Sequence, residues 1–386
     1  MTNATTSTRR IRYGMVGGGQ GAFIGAVHRI AARMDYQYEL VAGALSSTPE
    51  KARASGIELG LAPERSYGTY REMLAAEAER PDGIQAVAIV TPNHMHFPIA
   101  RDALEAGFHV ICDKPLTTTS AEARELVDLA ARSRLVFAVT HNYTGYPMVR
   151  QARAMVQAGE IGDVRVVQAE YPQGWLTEAL EETGQKQAAW RTDPAQSGAG
   201  GCIGDIGTHA FNLACFVTGL LPQAVLAELS TFVGGRRLDD NAHILLRFTG
   251  GARGMLWASQ VAPGNENALK LRVYGSKGGL EWAQEDPNYL WVTRHGAPKQ
   301  LYTRGGDGAW PDAARVTRTP SGHPEGYLEG FANIYQEAAR AIRAHAAGTP
   351  VDPEVVYPTA EDGWLGVRFI EAAVESSARG NVWIAL

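Results

Sequence analysis

The sequence predicts an α/β unit with a parallel sheet, followed by an α+β unit built on a mostly antiparallel sheet. Three observations carry this. From residue 11 to about residue 140, strand patterns alternate with helix patterns of about 10–15 residues, the order that parallel strands with right-handed crossovers require. A glycine cluster, Gly17-Gly18-Gly19, closes the first strand and opens a helix. After about residue 145, strands follow one another with few helices between them and with glycines at the turns. The expected division is one domain over residues 1–140 and a second over 141–386.

The elements follow in order. Residues 1–10 are rich in Thr, Ser and Arg and read as a frayed tail. Ile11–Val16 is a short apolar strand, Ile24–Met34 a helix and Tyr38–Leu45 a second strand. Ser47 and Glu50, with Pro49 between them, spell a capping box that starts the next helix. Ala86–Val90 is a near-continuous apolar run, as expected of a strand buried on both faces. The stretch after His96 is helical up to Gly107, then come a strand at His109–Cys112, a helix at Ser120–Ser133 and a strand at Val136–Thr140. In the second unit the strands are Val164–Glu170, Ala224–Val233, His243–Phe248, Ala252–Gln260, Lys270–Tyr274 and Gly279–Trp282, with hairpin turns at Gly250-Gly251 and Gly275–Gly279. Residues 304–326 read as a long loop, and 327–345 and 359–379 as two late helices.

Composition bounds the function. With 45% hydrophobic and 20% charged residues the chain is globular, not disordered. A net charge of −5 argues against a nucleic-acid partner, which calls for a basic patch. No run of about 18 apolar residues exists, so a membrane partner is not expected. The polar N-terminus lacks the apolar core of an export signal. Cys112, Cys202 and Cys215 are odd in number and lack C-x-x-C spacing, which argues against a disulfide framework and fits a reducing cytoplasm.

The glycine cluster between a strand and a helix reads as a dinucleotide-binding turn, which makes the first unit a Rossmann domain. Gly17 would make the tight turn, and Gly19 would let the backbone approach a pyrophosphate held at the helix N-terminus. The third glycine is displaced: Ala22 stands in its usual place and Gly25 comes three residues later. The end of the second strand, Ala44-Leu45-Ser46-Ser47-Thr48, carries no acid to hold a ribose 2′-hydroxyl. Ser46 and Ser47, with Lys51 or Arg53 nearby, suit a 2′-phosphate, which favours NADP over NAD.

Two clusters carry chemistry. Thr91-Pro92-Asn93-His94-Met95-His96 follows a buried strand, where loops line the nucleotide crevice. Asp113-Lys114-Pro115 follows the next strand; a Lys there can donate to or accept from a substrate oxygen, or simply sit on the rim. Asp205 and His209 lie four apart, so on a helix the carboxylate faces and orients an imidazole able to take a hydroxyl proton. An Asp cap beside a buried His is the plainer reading. No third ligand lies at metal-binding spacing, so no metal is expected. Trp175, Trp190, Tyr143 and Tyr327 offer a stacking face for a sugar ring or, as plainly, core.

These motifs resemble the glucose–fructose oxidoreductase / inositol dehydrogenase family (Gfo/Idh/MocA) over essentially the whole chain. The residues that carry the resemblance are the glycine turn followed by His28, the 91–96 loop, the run from Ala103 to Pro115, the Trp190-Arg191 pair, and Gly204-Asp205-Ile206-Gly207-Thr208-His209. The family's usual Glu-Lys-Pro is here Asp113-Lys114-Pro115. The resemblance implies a Rossmann domain followed by a large open-sheet domain, whose sheet often forms the subunit interface of a homodimer or homotetramer. It implies a pyridine nucleotide in the first domain and a sugar or cyclitol between the two. Carried over, Lys114, Asp205 and His209 are the catalytic set; Thr91, Asn93, His96, Asp113, Lys114 and Asn142 line the cofactor. Tyr143, Trp175, Trp190 and Arg191 join the catalytic set around the substrate. The segment 46–51 is similar to that of NADP-using members, whereas an Arg common near position 144 is replaced by Thr144.

The expected reaction is hydride transfer between nicotinamide and a secondary alcohol of a sugar or cyclitol. His209 takes the hydroxyl proton, Asp205 orients it and Lys114 binds the same oxygen, with Lys114 as the alternative base. Two rivals share the fold: redox-assisted glycoside cleavage with a retained NAD, and a non-catalytic nucleotide-sensing protein.

Overall fold

The chain is seen here as a computed structural model that describes residues 9–386. The expected frayed tail and the expected lack of an export signal fall mainly on residues 1–8, outside the described residues.

The first unit runs β1 (Ile11–Gly17), α1 (Phe23–Met34), β2 (Tyr38–Ala44), α2 (Pro49–Glu58), α3 (Tyr70–Ala78), β3 (Ala86–Val90), α4 (His96–Glu105), β4 (His109–Cys112), α5 (Ser120–Ser133) and β5 (Phe137–Val139). Its five strands are all parallel, in the order β2-β1-β3-β4-β5. Every residue of β3 and β4 is buried, because helices cover both faces. The strand order reverses between β1 and β3, and such a switch point opens a crevice at the carboxyl ends of the strands. The glycine turn follows β1 and the Thr91 loop follows β3, so the topology alone sets the two motifs on either side of it.

The expected capping box at Ser47 and Glu50 does not form. Thr48 is the N-cap of α2 and makes no side-chain cap bond. Helix α2 starts at Pro49, one residue later than the box requires, so Glu50 is out of register for the reciprocal bond. Ser47 is left exposed.

The second unit continues with α6 (Pro147–Gln157), β6 (Val164–Pro172), the short α7 (Lys186–Arg191) and α8 (Pro194–Ser197), α9 (Thr208–Thr218), β7 (Pro222–Ser230), β8 (Asn241–Phe248), β9 (Arg253–Ser259), β10 (Lys270–Gly275), β11 (Gly278–Ala283), β12 (Tyr289–Arg294), β13 (Gln300–Thr303), α10 (Pro311–Ala314), α11 (Tyr327–Ala346), α12 (Ala360–Ala378) and β14 (Ile384–Ala385). Nine strands form one sheet in the order β13-β12-β11-β10-β6-β9-β8-β7-β14, antiparallel except for the β6–β9 pair. All six strands expected from the sequence are present; α6, the short α7, α8 and α10, and β12, β13 and β14 were not expected. The 304–326 stretch holds α10, and buried Arg304 and Glu325 tie its ends together at 3.1 Å.

Helices α6, α9 and α12 pack on one face of this sheet. The other face is open. In β8, Ala242, Ile244 and Leu246 point inward while His243, Leu245 and Arg247 point out. Val166, Leu245, Met255 and Trp291 are 40%, 46%, 48% and 41% exposed on the described surface. Helix α11 returns to the first unit, where Phe331, Tyr335, Ala338 and Ile342 share a core with Tyr13, Val27, Ala31 and Tyr38. Among the described residues no helix is long and apolar enough to cross a membrane, and all three cysteines are free.

Candidate active site

Gly17 sits at φ +81°, and a Cβ there would lie 2.8 Å from the Val90 carbonyl oxygen, so the tight turn at the end of β1 needs glycine. Gly25 lies inside α1; a Cβ on it would come within 2.3 Å of Gly18 Cα. The displaced third glycine therefore does what the helix–turn contact demands. Gly19 differs from expectation. A Cβ there would meet Leu45 O at 2.5 Å and Ser55 Oγ at 2.7 Å, and its N–H donates to Leu45 O at 3.0 Å. Gly19 is bare so that the turn can pack on Leu45, just after β2, and on Ser55 of α2, not to present its own N–H to a phosphate.

The anion-ready groups are those of α1 itself. Its N-cap, Ala22, makes no side-chain cap bond, and no acid stands in its first turn. The N–H groups there have no capping side chain, as a pyrophosphate site requires. Beside the turn a cleft of about 420 Å³ opens between Gly19–Phe23 and Ser55, Glu58 and Leu59 of α2. Ser46 Oγ accepts the Thr48 N–H at 3.3 Å, Ser47 and Lys51 are exposed, and Arg53 leans towards Glu72 at 3.8 Å.

The loops after β3, β4 and β5 meet at the crevice. His96 corrects an expectation: it is wholly buried, and both ring nitrogens face backbone oxygens, Pro115 O at 2.8 Å and Thr91 O at 2.9 Å. It clasps two loops and does not line the cofactor. Asn93 donates to Ser197 O at 2.9 Å, joining the crevice to the α8 segment. Asp113 accepts from Thr140 Oγ1 at 2.8 Å. Thr91 Oγ1, Asn142 Nδ2, His141 Nδ1, Thr208 Oγ1 and His209 Nδ1 are buried without a protein partner. Folded proteins rarely leave buried polar atoms unpaired, so this concentration fits a polar ligand.

Lys114, Asp205 and His209 come together, though not as expected. Ile203–Gly207 is a π-helical turn that leads into α9, so Asp205 and His209 are not on one regular α-helix. Asp205 makes no hydrogen bond to His209. Its Oδ1 accepts from Lys114 Nζ at 3.0 Å, and its Oδ2 accepts from Arg191 Nε and from Gln260 Nε2, each at 2.9 Å. Lys114 also donates to the Asp205 carbonyl oxygen. Burial pushes the Asp205 carboxyl up, but Arg191 and then Lys114 outweigh it and hold the group well below the usual carboxylate range. Asp205 is an anion that steadies an ammonium, not an imidazole.

His209 is buried among rings: Tyr143 at 4.8 Å between centroids, His141 at 5.5 Å and Tyr171 at 6.3 Å. Burial, then Lys114 and His141, hold it well below the ordinary imidazole value against the pull of Asp205. Burial and Lys114 push His141 down to about 3. Both imidazoles are therefore neutral at neutral pH. Tyr143 belongs to a polar wall: its hydroxyl meets that of Tyr171 at 2.5 Å, and Tyr171 donates to Asn267 Oδ1 at 2.7 Å.

The other aromatics expected around the substrate each have a protein neighbour. Trp175 donates to Gln173 at 3.0 Å, Trp190 lies 4.2 Å under the Arg191 guanidinium, and Tyr327 packs on Phe331 at 5.2 Å. His141, Tyr171, Gln260 and Asn267 escaped the sequence reading. Tyr171 and Gln260 stand at the ends of strands β6 and β9, which was a usable signal; His141 and Asn267 carried none. Among the described residues no group of three or more His, Cys, Asp or Glu is placed to hold a metal ion. An ammonium, a neutral imidazole and a fixed carboxylate can bind an alcohol oxygen and take its proton.

Comparison with known proteins follows the same lines. Residues 11–156 match the family described as "Oxidoreductase family, NAD-binding Rossmann fold", and residues 149–281 match the "GFO/IDH/MocA C-terminal domain". The uncharacterized oxidoreductase YfiI of Bacillus subtilis (strain 168) is 38% identical over 384 residues, covering 98% of this chain and 97% of its own. The crystal structure of an oxidoreductase from Sinorhizobium meliloti is 60% identical, with a TM-score of 0.90, over 98% of this chain and 100% of that one. An inositol dehydrogenase homolog from Azotobacter vinelandii, solved with NADH and myo-inositol, is 38% identical with a TM-score of 0.92 over 98% of both chains. With the match running through both sheets, the chain belongs to the Gfo/Idh/MocA family, enzymes that use a nicotinamide dinucleotide to oxidise or reduce sugars and cyclitols.

Proposed function

We propose that this enzyme reversibly oxidises a secondary alcohol of an unphosphorylated sugar or cyclitol, with Lys114 and His209 as the reacting pair. The observation that carries the reading is Lys114, held by Asp205 and close enough to buried His209 to depress its ionisation. The nicotinamide ring, when bound, supplies the hydride acceptor or donor. The Lys114 ammonium binds the alcohol oxygen and stabilises the charge that develops there. Neutral His209 takes the hydroxyl proton and returns it in the reverse direction. Asp205 keeps the ammonium in place. The Azotobacter vinelandii homolog was solved with myo-inositol, an unphosphorylated cyclitol, which supports a neutral polyol over a phosphate ester. The experiment is a panel of free and phosphorylated sugars and cyclitols, myo-inositol included, followed by reduced-cofactor absorbance. Turnover should be confined to neutral polyols; turnover of phosphate esters alone would contradict the substrate class.

The missing acid at 44–48 lets both NADP and NAD bind, and the hydroxyls of Ser46 and Ser47 favour the former. Ser46→Asp is expected to move the NADP/NAD ratio of kcat/KM at least about tenfold towards NAD, since like charges at a 2′-phosphate cost more than about 1.4 kcal/mol. An unchanged ratio would remove position 46 from the cofactor site.

The open face of the nine-stranded sheet is the proposed homo-oligomer interface. Leu245→Glu with Met255→Glu should shift the protein to smaller species in light scattering, because it buries like charges at an apolar contact. Mass unchanged from wild type would place the interface elsewhere.

A further inference from the structure

We infer that Arg191 is a positioning residue: it fixes Asp205 so that the carboxylate can hold Lys114, and it does not bind the substrate. The inference rests on the reading of Lys114 and His209 as the reacting pair.

Asp205 is pinned at both oxygens, by Lys114 on one side and by Arg191 with Gln260 on the other. Arg191 is itself committed before any ligand arrives. Its Nε is on Asp205, its Nη1 donates to Gln187 O at 3.2 Å and Gln187 Oε1 at 2.7 Å, and its guanidinium lies over the Trp190 ring. The segment that carries it is anchored separately. Asn93 holds Ser197 O at 2.9 Å, Arg236 pairs with Glu181 at 2.7 Å, and Arg237 pairs with Asp193 at 3.0 Å. Arg191 therefore reaches Asp205 from a scaffold tied both to the nucleotide crevice and to the β7–β8 connection.

The charged and titratable groups around Asp205 are Lys114 after β4, Arg191 of α7, His209 of α9, Tyr143 after β5, Tyr171 of β6, Cys202 before the π turn and Tyr327 of α11. Only Lys114 and Arg191 are cations among them. Without Arg191, burial opposes the carboxylate against one cation in place of two, and the Asp205 carboxyl titrates at higher pH. Once protonated, Asp205 no longer anchors the ammonium. Activity should then be lost from the acid side first.

The test compares Arg191→Ala and Arg191→Lys with wild type, using myo-inositol and NAD+ as the kinetic probe and thermal unfolding against pH as a second readout. For Arg191→Ala the expectation is a kcat lower by about ten- to a hundredfold, a myo-inositol KM within about twofold of wild type, and an acid limb moved up by about one to three pH units. Arg191→Lys, which keeps the charge, should recover most of both effects. The folded-state Asp205 carboxyl is depressed, so its contribution to stability is lost as pH falls through its folded value. In Arg191→Ala that fall in Tm should begin at higher pH, and Asp205→Asn should erase the difference. A raised KM with unchanged kcat and pH profile would make Arg191 a substrate ligand and overturn the inference. So would a Tm lowered equally at every pH together with weakened NADH binding, the mark of a merely structural role. Lys114→Ala and His209→Ala run beside these variants. If both keep wild-type turnover the underlying reading fails; if both are inactive and Arg191→Ala moves only KM, the inference alone fails.

Discussion

Lys114→Ala is expected to lower kcat by about 10²–10⁴-fold, equivalent to about 3–5 kcal/mol of barrier. The substitution removes the Lys114 ammonium that the proposed reaction places on the reacting oxygen. It leaves Asp205 paired with Arg191 and Gln260, so the buried carboxylate keeps a cationic partner and two donors. The variant should therefore fold and bind reduced cofactor, with the loss concentrated in kcat. Lys114→Arg should not restore it, because a planar guanidinium cannot reproduce a compact point charge between the Asp205 carboxylate and an alcohol. Steady-state kinetics with the active polyol, and reduced-cofactor titration by fluorescence, check both halves. A kcat within a few-fold of wild type would remove Lys114 from the chemistry.

His209→Ala is expected to cost a similar factor by a different route. His209 makes no hydrogen bond to Asp205, so its removal leaves the Lys114–Asp205–Arg191 array intact. The substrate oxygen is still bound, but the proton has no neutral imidazole to go to. The loss should again appear in kcat, with KM for the polyol nearly unchanged. The pH dependence follows in sign. The His209 ionisation is held well below the ordinary imidazole value, so wild-type kcat should not fall as pH drops through about 6.5, where a free imidazole charges. A wild-type acid limb centred on the ordinary imidazole value, or a His209→Ala enzyme with unaltered turnover, would contradict the role.

Local chemistry made much of the fold legible. Ala86–Val90, His109–Cys112 and Ser120–Ser133 lie where continuous apolar runs and a single helical stripe put them. Strand β13 was hidden because Gln300–Thr303 is short and mostly exposed, whereas β12, Tyr289–Arg294, carries an aromatic and β-branched alternation that does read as a strand. Strand β14 is too short to show a period. The start of α2 was misread by one residue, since Ser47, Thr48 and Pro49 all carry helix-start signals and only the backbone chooses among them.

The site was legible in its members and not in its wiring. Lys114, Asp205 and His209 stand in local motifs, so each could be singled out. That Asp205 serves Lys114 depends on a π turn and on Arg191, contributed by an element fourteen residues upstream. His96 looked like a cofactor contact because its loop follows a buried strand at the crevice; only the fold shows its ring turned into the protein. Tyr171 reaches the site from the end of β6, a position the strand pattern does mark, whereas Asn267 comes from the β9–β10 connection, where nothing in the local sequence announces it.

The most direct test of the central claim is deuterium transfer from carbon-deuterated myo-inositol, read by mass spectrometry of the recovered reduced cofactor. Wild type should yield reduced cofactor carrying the substrate deuterium, and Lys114→Ala and His209→Ala should yield it at rates lower by the factors given above. Product formed without deuterium in a released cofactor would instead point to a cycle in which the hydride returns to the substrate. Undiminished labelling by Lys114→Ala would contradict the catalytic assignment itself.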